Sequence, residues 1–258
     1  MLVQPLPNST PPSGGPLYSL YSFCEEVSYG VEPATCKFSP GKEGTKSAII
    51  YVNGVRQSFM DIECVHSQTS KNTKRDTYSI ANLTNGLVKD FFRCVKLWLG
   101  GQSPASVKLK ETLENLPNDI EDIKIVCHSE GCLITRQALH HLSNEVFMKL
   151  YPKLHILSFG APFFFDKRYA EKIENHVSIF DPISIVLNPS LIFRYIWASV
   201  NLLKNKLEGI RKPFKIGNYC PTYFHAPHSN QPLKEHSIRA ATYFTNYMRI
   251  VLAETNAG

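Results

Sequence analysis

What this sequence of 258 residues lacks narrows it quickly. No stretch approaches the roughly 18–20 apolar residues that a helical membrane span needs. Residues 1–16 (MLVQPLPNSTPPSGGP) hold neither a basic start nor an apolar segment, so no cleavable secretory leader is expected. Their Pro, Ser and Gly content reads as a flexible arm ahead of one large domain over 17–258. Lys and Arg outnumber Asp and Glu by 28 to 22, but never in a run of five, which argues against a nucleic-acid surface. The seven Cys, at 24, 36, 64, 94, 127, 132 and 220, include no C-x-x-C pair. An odd number at irregular spacing reads as reduced thiols, and so as a cytoplasmic or other reducing compartment. There is no His-Glu-x-x-His and no clustered Cys/His spacing; His140-His141 is a neighbouring pair with different facing on a helix. No metal and no cofactor are therefore expected. Neither Cys127 nor Cys132 has an Arg six residues on, so the phosphate-cradling loop of cysteine phosphatases is missing too.

What is present is an alternation. Ser47–Val52 (SAIIYV) is a β-branched apolar run stopped by Asn53-Gly54, which reads as a buried strand and a turn. Residues 58–70 predict a helix with Ser58 as its cap, and Asp76–Ala81 a strand. Residues 86–99 have helical apolar spacing and stop at Gly100-Gly101. A second helix is expected over 105–116, a strand over 123–127, and one helix from about 131 to 150. Leu154–Phe159 reads as a strand, 166–175 as helix, 177–180 as strand and 236–252 as a long final helix. Residues 17–29 read as a strand or hairpin. Such alternation predicts an α/β fold with a mostly parallel sheet and helices on both faces. Residues 183–232 break it. This Pro-punctuated insertion holds an apolar helical segment, 191–207, that is either a core helix or a lid or membrane-contacting helix ending in Lys204 and Lys206.

The chemistry-bearing stretch is IKIVCHSEGCLIT, residues 123–135: an apolar strand, then His128-Ser129-Glu130-Gly131, then a helix. It resembles the nucleophile elbow of α/β hydrolases, G-x-S-x-G, in which a serine on a sharp strand-to-helix turn projects its Oγ above the sheet. Small residues are required two before and two after that serine because neighbouring backbones approach closely. Gly131 supplies one; Cys127 stands where the other Gly is usual. The order Asn53-Gly54, Ser129, Gly160-Ala161-Pro162, Asp181-Pro182 and His236 extends the resemblance over about 46–254, toward lipase-like and esterase-like members.

The resemblance implies an α/β-hydrolase fold with a lid-like insertion before the catalytic His. It implies a Ser129–Asp181–His236 triad cleaving a carboxylester, lipid ester or thioester through an acyl-enzyme. Backbone N–H groups of Val55 and Glu130 would receive the oxyanion, with Cys127, His128 and Gly131 shaping the elbow. Asp166 is the rival acid, and His225 and His228 are rival bases. Asn53-Gly54 has a plain turn as its alternative. The expected partner is a small-molecule or lipid ester, with peripheral membrane contact through the insertion and no nucleic acid. The competing reading is a non-catalytic protein of the same fold that binds a membrane or protein partner through 183–232.

Overall fold

A computed structural model of the chain describes residues 15–27, 34–55, 57, 59–84 and 86–176. The expectations for 177–180, for the insertion at 183–232 and for the final helix fall outside the described residues. In order, the elements are α1 (Pro16–Val27), β1 (Thr35–Ser39), β2 (Ser47–Val52), α2 (Phe59–Thr73), β3 (Asp76–Ala81), α3 (Leu87–Trp98) and α4 (Pro104–Glu114). β4 (Asp122–His128), α5 (Glu130–His140), α6 (Asn144–Leu150), β5 (Leu154–Phe159) and β6 (Lys172–His176) follow.

The six strands form one sheet in the order β1-β3-β2-β4-β5-β6. β1 is antiparallel to β3, and every other neighbouring pair is parallel. β2, β4 and β5 read as continuous apolar runs because both of their faces are covered. On one face Ile49, Tyr51, Val126, Leu157 and Phe159 pack with Val65 of α2. On the other, Ile50, Val52, Ile125 and Ile156 join the larger core, to which α3, α4 and α5 contribute Leu97, Leu109 and Leu133. Each such fully buried Leu or Ile contributes roughly 1.5–3 kcal/mol relative to an exposed one.

Three expectations need correction. Residues 17–29 are not a strand: 16–27 form α1. Leu17, Leu20, Tyr21 and Cys24 have helical spacing, and docking on α3 overrides the aromatic β-preference, with Phe23 edge-on to Phe92 at 5.3 Å. The helix expected over 131–150 is two, because the Ser143 hydroxyl accepts from the Val146 N–H at 3.3 Å and caps a new helix. The helix expected over 166–175 is a turn followed by β6. Asp166 draws the chain into that turn by accepting from the Arg168 N–H at 3.0 Å. Asn175 then fixes β6, its side chain bonding both the N–H and the carbonyl of Phe165 at 3.0 and 2.9 Å. β1 is an additional strand with no clear signal in the sequence, since Thr35 to Ser39 are half-buried or exposed at the sheet edge.

Candidate active site at the carboxyl edge of the sheet

β2 and β4 are neighbours, yet their outgoing chains part. β2 leads to α2 on one face, while β4 leads to α5 on the other. That divergence marks the carboxyl edge where open α/β sheets bind ligands. Asn53 and Gly54 leave β2 there, beside Ser129 and Glu130 leaving β4.

Ser129 joins β4 to α5 with φ 52° and ψ −118°. Among the described residues only Lys74 and Ser129 combine a side chain with positive φ. Such a backbone costs of order 1–3 kcal/mol and persists only where its surroundings impose it. Here they do. The Ser129 N–H donates to the Phe159 carbonyl at 2.9 Å, and its own carbonyl accepts from the Cys132 N–H at 3.0 Å. A Cβ on Gly131 would lie 2.3 Å from the Val52 carbonyl oxygen, so only Gly lets α5 start against β2. A Cβ on Gly54 would lie 2.8 Å from the His128 carbonyl oxygen and 2.9 Å from the Ser129 Cβ. The loop after β2 therefore rests on the serine itself, with half-buried Val55 one residue further on. The His128 ring is buried, and its Nδ1 also faces Gly54.

Cys127 and Cys132 are buried free thiols that donate to the Leu157 and Phe159 carbonyls at 3.7 and 4.0 Å. Burial, then the Cys127 sulfur, pushes the Cys132 thiol well above its ordinary range. These two groups pack rather than react.

The Glu130 side chain anchors a buried polar network. Its carboxylate, only 2% exposed, receives the Arg93 Nε at 2.6 Å, the Arg93 Nη2 at 2.8 Å and the Asn82 Nδ2 at 2.6 Å. Arg93 also pairs with Asp90 one turn earlier on α3 at 3.0 Å and donates to the Leu83 carbonyl at 3.3 Å. Thr84 Oγ1 donates to the other Asp90 oxygen. Burial works against the Arg93 charge, but the hydrogen bonds to Glu130 and the nearby carboxylates outweigh it and hold its pKa above the ordinary value. Asn82 and Asn53 are locked reciprocally: the Asn82 N–H donates to Asn53 Oδ1 at 2.6 Å, and Asn53 Nδ2 donates to the Asn82 carbonyl at 2.9 Å. Asn53 is thus a buried strut rather than a plain turn residue. The sequence reading missed Asn82, Asp90 and Arg93. A signal existed: a Glu between an apolar strand and an apolar helix needs a buried partner.

On the opposite face of β5 and β6 lies a second polar group. Glu174 accepts from His155 Nε2 at 3.1 Å and lies 3.5 Å from His176 Nε2. Those two rings hold its carboxyl far below the usual range, against the effect of burial. The His176 ring stacks on Phe159 at 4.6 Å. Asp166, the rival acid, is committed to Arg168, whose guanidinium depresses its pKa. Gly160, with φ 58°, turns the chain after β5, and its N–H donates to the His176 carbonyl at 2.8 Å. Asp181, His225, His228 and His236 lie outside the described residues. Among the described residues no group of His, Cys, Asp and Glu is arranged to hold a metal ion, and no helix is long and apolar enough to cross a membrane.

No family model matches the chain, and no curated protein does. Solved structures resemble it distantly, among them two hydrolases. The crystal structure of the esterase PE8 aligns over 82% of this chain and 99% of its own at 11% identity and a TM-score of 0.43. A hormone-sensitive lipase from a metagenome library aligns over 73% of this chain and 80% of its own at 14% identity and a TM-score of 0.33.

Proposed function

We propose that this chain is a serine hydrolase of the α/β-hydrolase fold that cleaves ester bonds through an acyl-enzyme on Ser129. The observation that carries the reading is the Ser129 backbone. A non-glycine residue is held at φ 52° between a parallel strand and a helix, at the point where the chain leaves neighbouring strands for opposite faces of the sheet, with Gly54 against its Cβ. A fold keeps such a strained residue when the strain places a reacting atom.

In this reading His236 takes the Ser129 proton while Oγ attacks the ester carbonyl, and Asp181 holds the imidazole tautomer and stabilises its cation. The amides of Val55 and Glu130 receive the oxyanion, aided by the positive end of α5. The alcohol leaves with the proton from His236. Water, deprotonated by the same ring, then releases the acid and restores Ser129. The insertion at 183–232 is assigned to covering a lipophilic acyl group.

The test is labelling of the full chain with a fluorophosphonate probe, comparing native protein with Ser129→Ala, Asp181→Asn and His236→Ala. Labelling should vanish in the first and fall sharply in the other two. A folded native chain that takes no label would sink the reading and favour the non-catalytic alternative.

A further inference from the structure

The carboxyl-edge charge cluster is larger than a packing role requires. Asn53, Asn82, Asp90, Arg93 and Glu130 are all at most 4% exposed. Two carboxylates share one guanidinium there, so the formal charges do not balance. Taking charges out of water costs several kcal/mol per ion, and apolar residues of similar volume would often serve stability as well or better. Geometry is what such a cluster supplies. Apart from the Arg93–Asp90 pair within α3, its bonds join different segments of the same edge. The Asn53–Asn82 pair ties the loop after β2 to the loop after β3. The bond from Asn82 Nδ2 to Glu130 Oε2 ties the loop after β3 to the first residue of α5. Arg93 grips Glu130 with two donors and the Leu83 carbonyl with a third.

We propose that Asn82 and Arg93 are positioning residues for acyl transfer, clamping the loop after β2 to the start of α5 so that the Val55 and Glu130 amides keep a fixed separation above Ser129. This rests on the ester-hydrolysis reading. Neither side chain touches the ester; each acts through Glu130, while the Asn82 backbone holds Asn53. Oxyanion donors help only if they are already in place when charge develops, so a loosened clamp lowers the rate of the chemical step rather than substrate affinity.

Asn82→Asp separates positioning from mere support. The substitution keeps the size of the side chain but turns the donor facing Glu130 into an acceptor. The groups around it are Glu130 on α5 and Asp90, Arg93 and Cys94 on α3, the last a thiol kept neutral by burial and by the Glu130 charge. With carboxylates outnumbering the guanidinium, a third carboxylate against Glu130 takes up a proton as the pH falls and regains the hydrogen bond.

The experiment measures hydrolysis of p-nitrophenyl butyrate and the rate of fluorophosphonate labelling from pH 8 to pH 5. It uses the full chain as native protein, Asn82→Asp, Asn82→Ala and Arg93→Lys, with circular dichroism and urea unfolding as checks on folding. At pH 8 kcat should fall by about 10- to 100-fold in each variant, with KM changed less than about threefold. The deficit of Asn82→Asp, but not that of Asn82→Ala, should shrink toward pH 5. Folded variants that keep native kcat, or lose it through KM alone, would overturn the positioning role and leave the hydrolase reading intact. A native chain that neither labels at Ser129 nor hydrolyses the ester would overturn both.

Discussion

The two ends of the sheet handle charge in opposite ways. At the amino ends of the strands, Lys46 meets Glu121 at 2.7 Å and Arg75 meets Asp122 at 3.1 Å. Three of those four side chains are 41–67% exposed. At the carboxyl ends, Arg93 meets Glu130 at 2.6 Å with both side chains at 2% exposure or less. Exposed pairs are screened and cost entropy to hold, so they contribute little. Buried pairs cost desolvation and make every partner indispensable. One end is therefore free to vary, while the other is over-determined around Ser129.

The sharpest way to break that contrast is Arg93→Met, which leaves Glu130 and Asp90 buried without their guanidinium. A loss of about 3–5 kcal/mol in unfolding free energy is expected, read from urea titration. A loss below about 1 kcal/mol would place the two ends on equal terms.

Next is Gly54→Ala, which tests the same edge without touching charge. The new methyl meets the His128 carbonyl oxygen at 2.8 Å, a backbone atom that cannot swing aside. Overpacking of this kind costs about 1–3 kcal/mol. It should also shift the loop carrying Val55 and reduce labelling of Ser129 more than it reduces stability. Equal labelling of a destabilised chain would show that Gly54 serves packing alone.

How far the sequence reveals this arrangement depends on whether the determinants are local. β2, β4 and β5 are continuous apolar runs, and the α/β alternation follows from them. Gly131 and Ser129 stand beside each other in one motif, so the turn between β4 and α5 is legible as well. Asn82 and Arg93 are not, because their common partner Glu130 is 48 and 37 residues away in sequence, and Asp90 joins the cluster only through Arg93. β6 is hidden for a related reason: KIENH is polar but for Ile173, and its pairing with the fully buried β5 makes it a strand.

A smaller effect is expected from Glu174, which belongs to neither end. Its carboxyl is held below the usual range by His155 and His176, so the folded state binds that proton more weakly than the unfolded chain does. Its stabilisation is then complete above the unfolded carboxylate pKa, about 4.3, and is lost as the pH falls through the lower folded value. Urea midpoints of native and Glu174→Gln protein should differ near pH 6 and converge below about pH 4. A gap that widens on acidification would reverse the sign and remove the two histidines as its cause.

The smallest effect belongs to Lys46→Ala. Lys46 and Glu121 raise and lower each other's pKa as any close pair does, but both stand in water at the sheet's amino end. Their attraction is already met by solvent and salt, so the urea midpoint should be indistinguishable from native at 0.15 M salt. A double-mutant cycle with Glu121→Ala isolates the pair itself. Coupling that vanishes with added salt is what an exposed pair predicts. Coupling that survives salt would mean that the amino end is also held by charge, and burial at the carboxyl end would then lose its claim to mark the site.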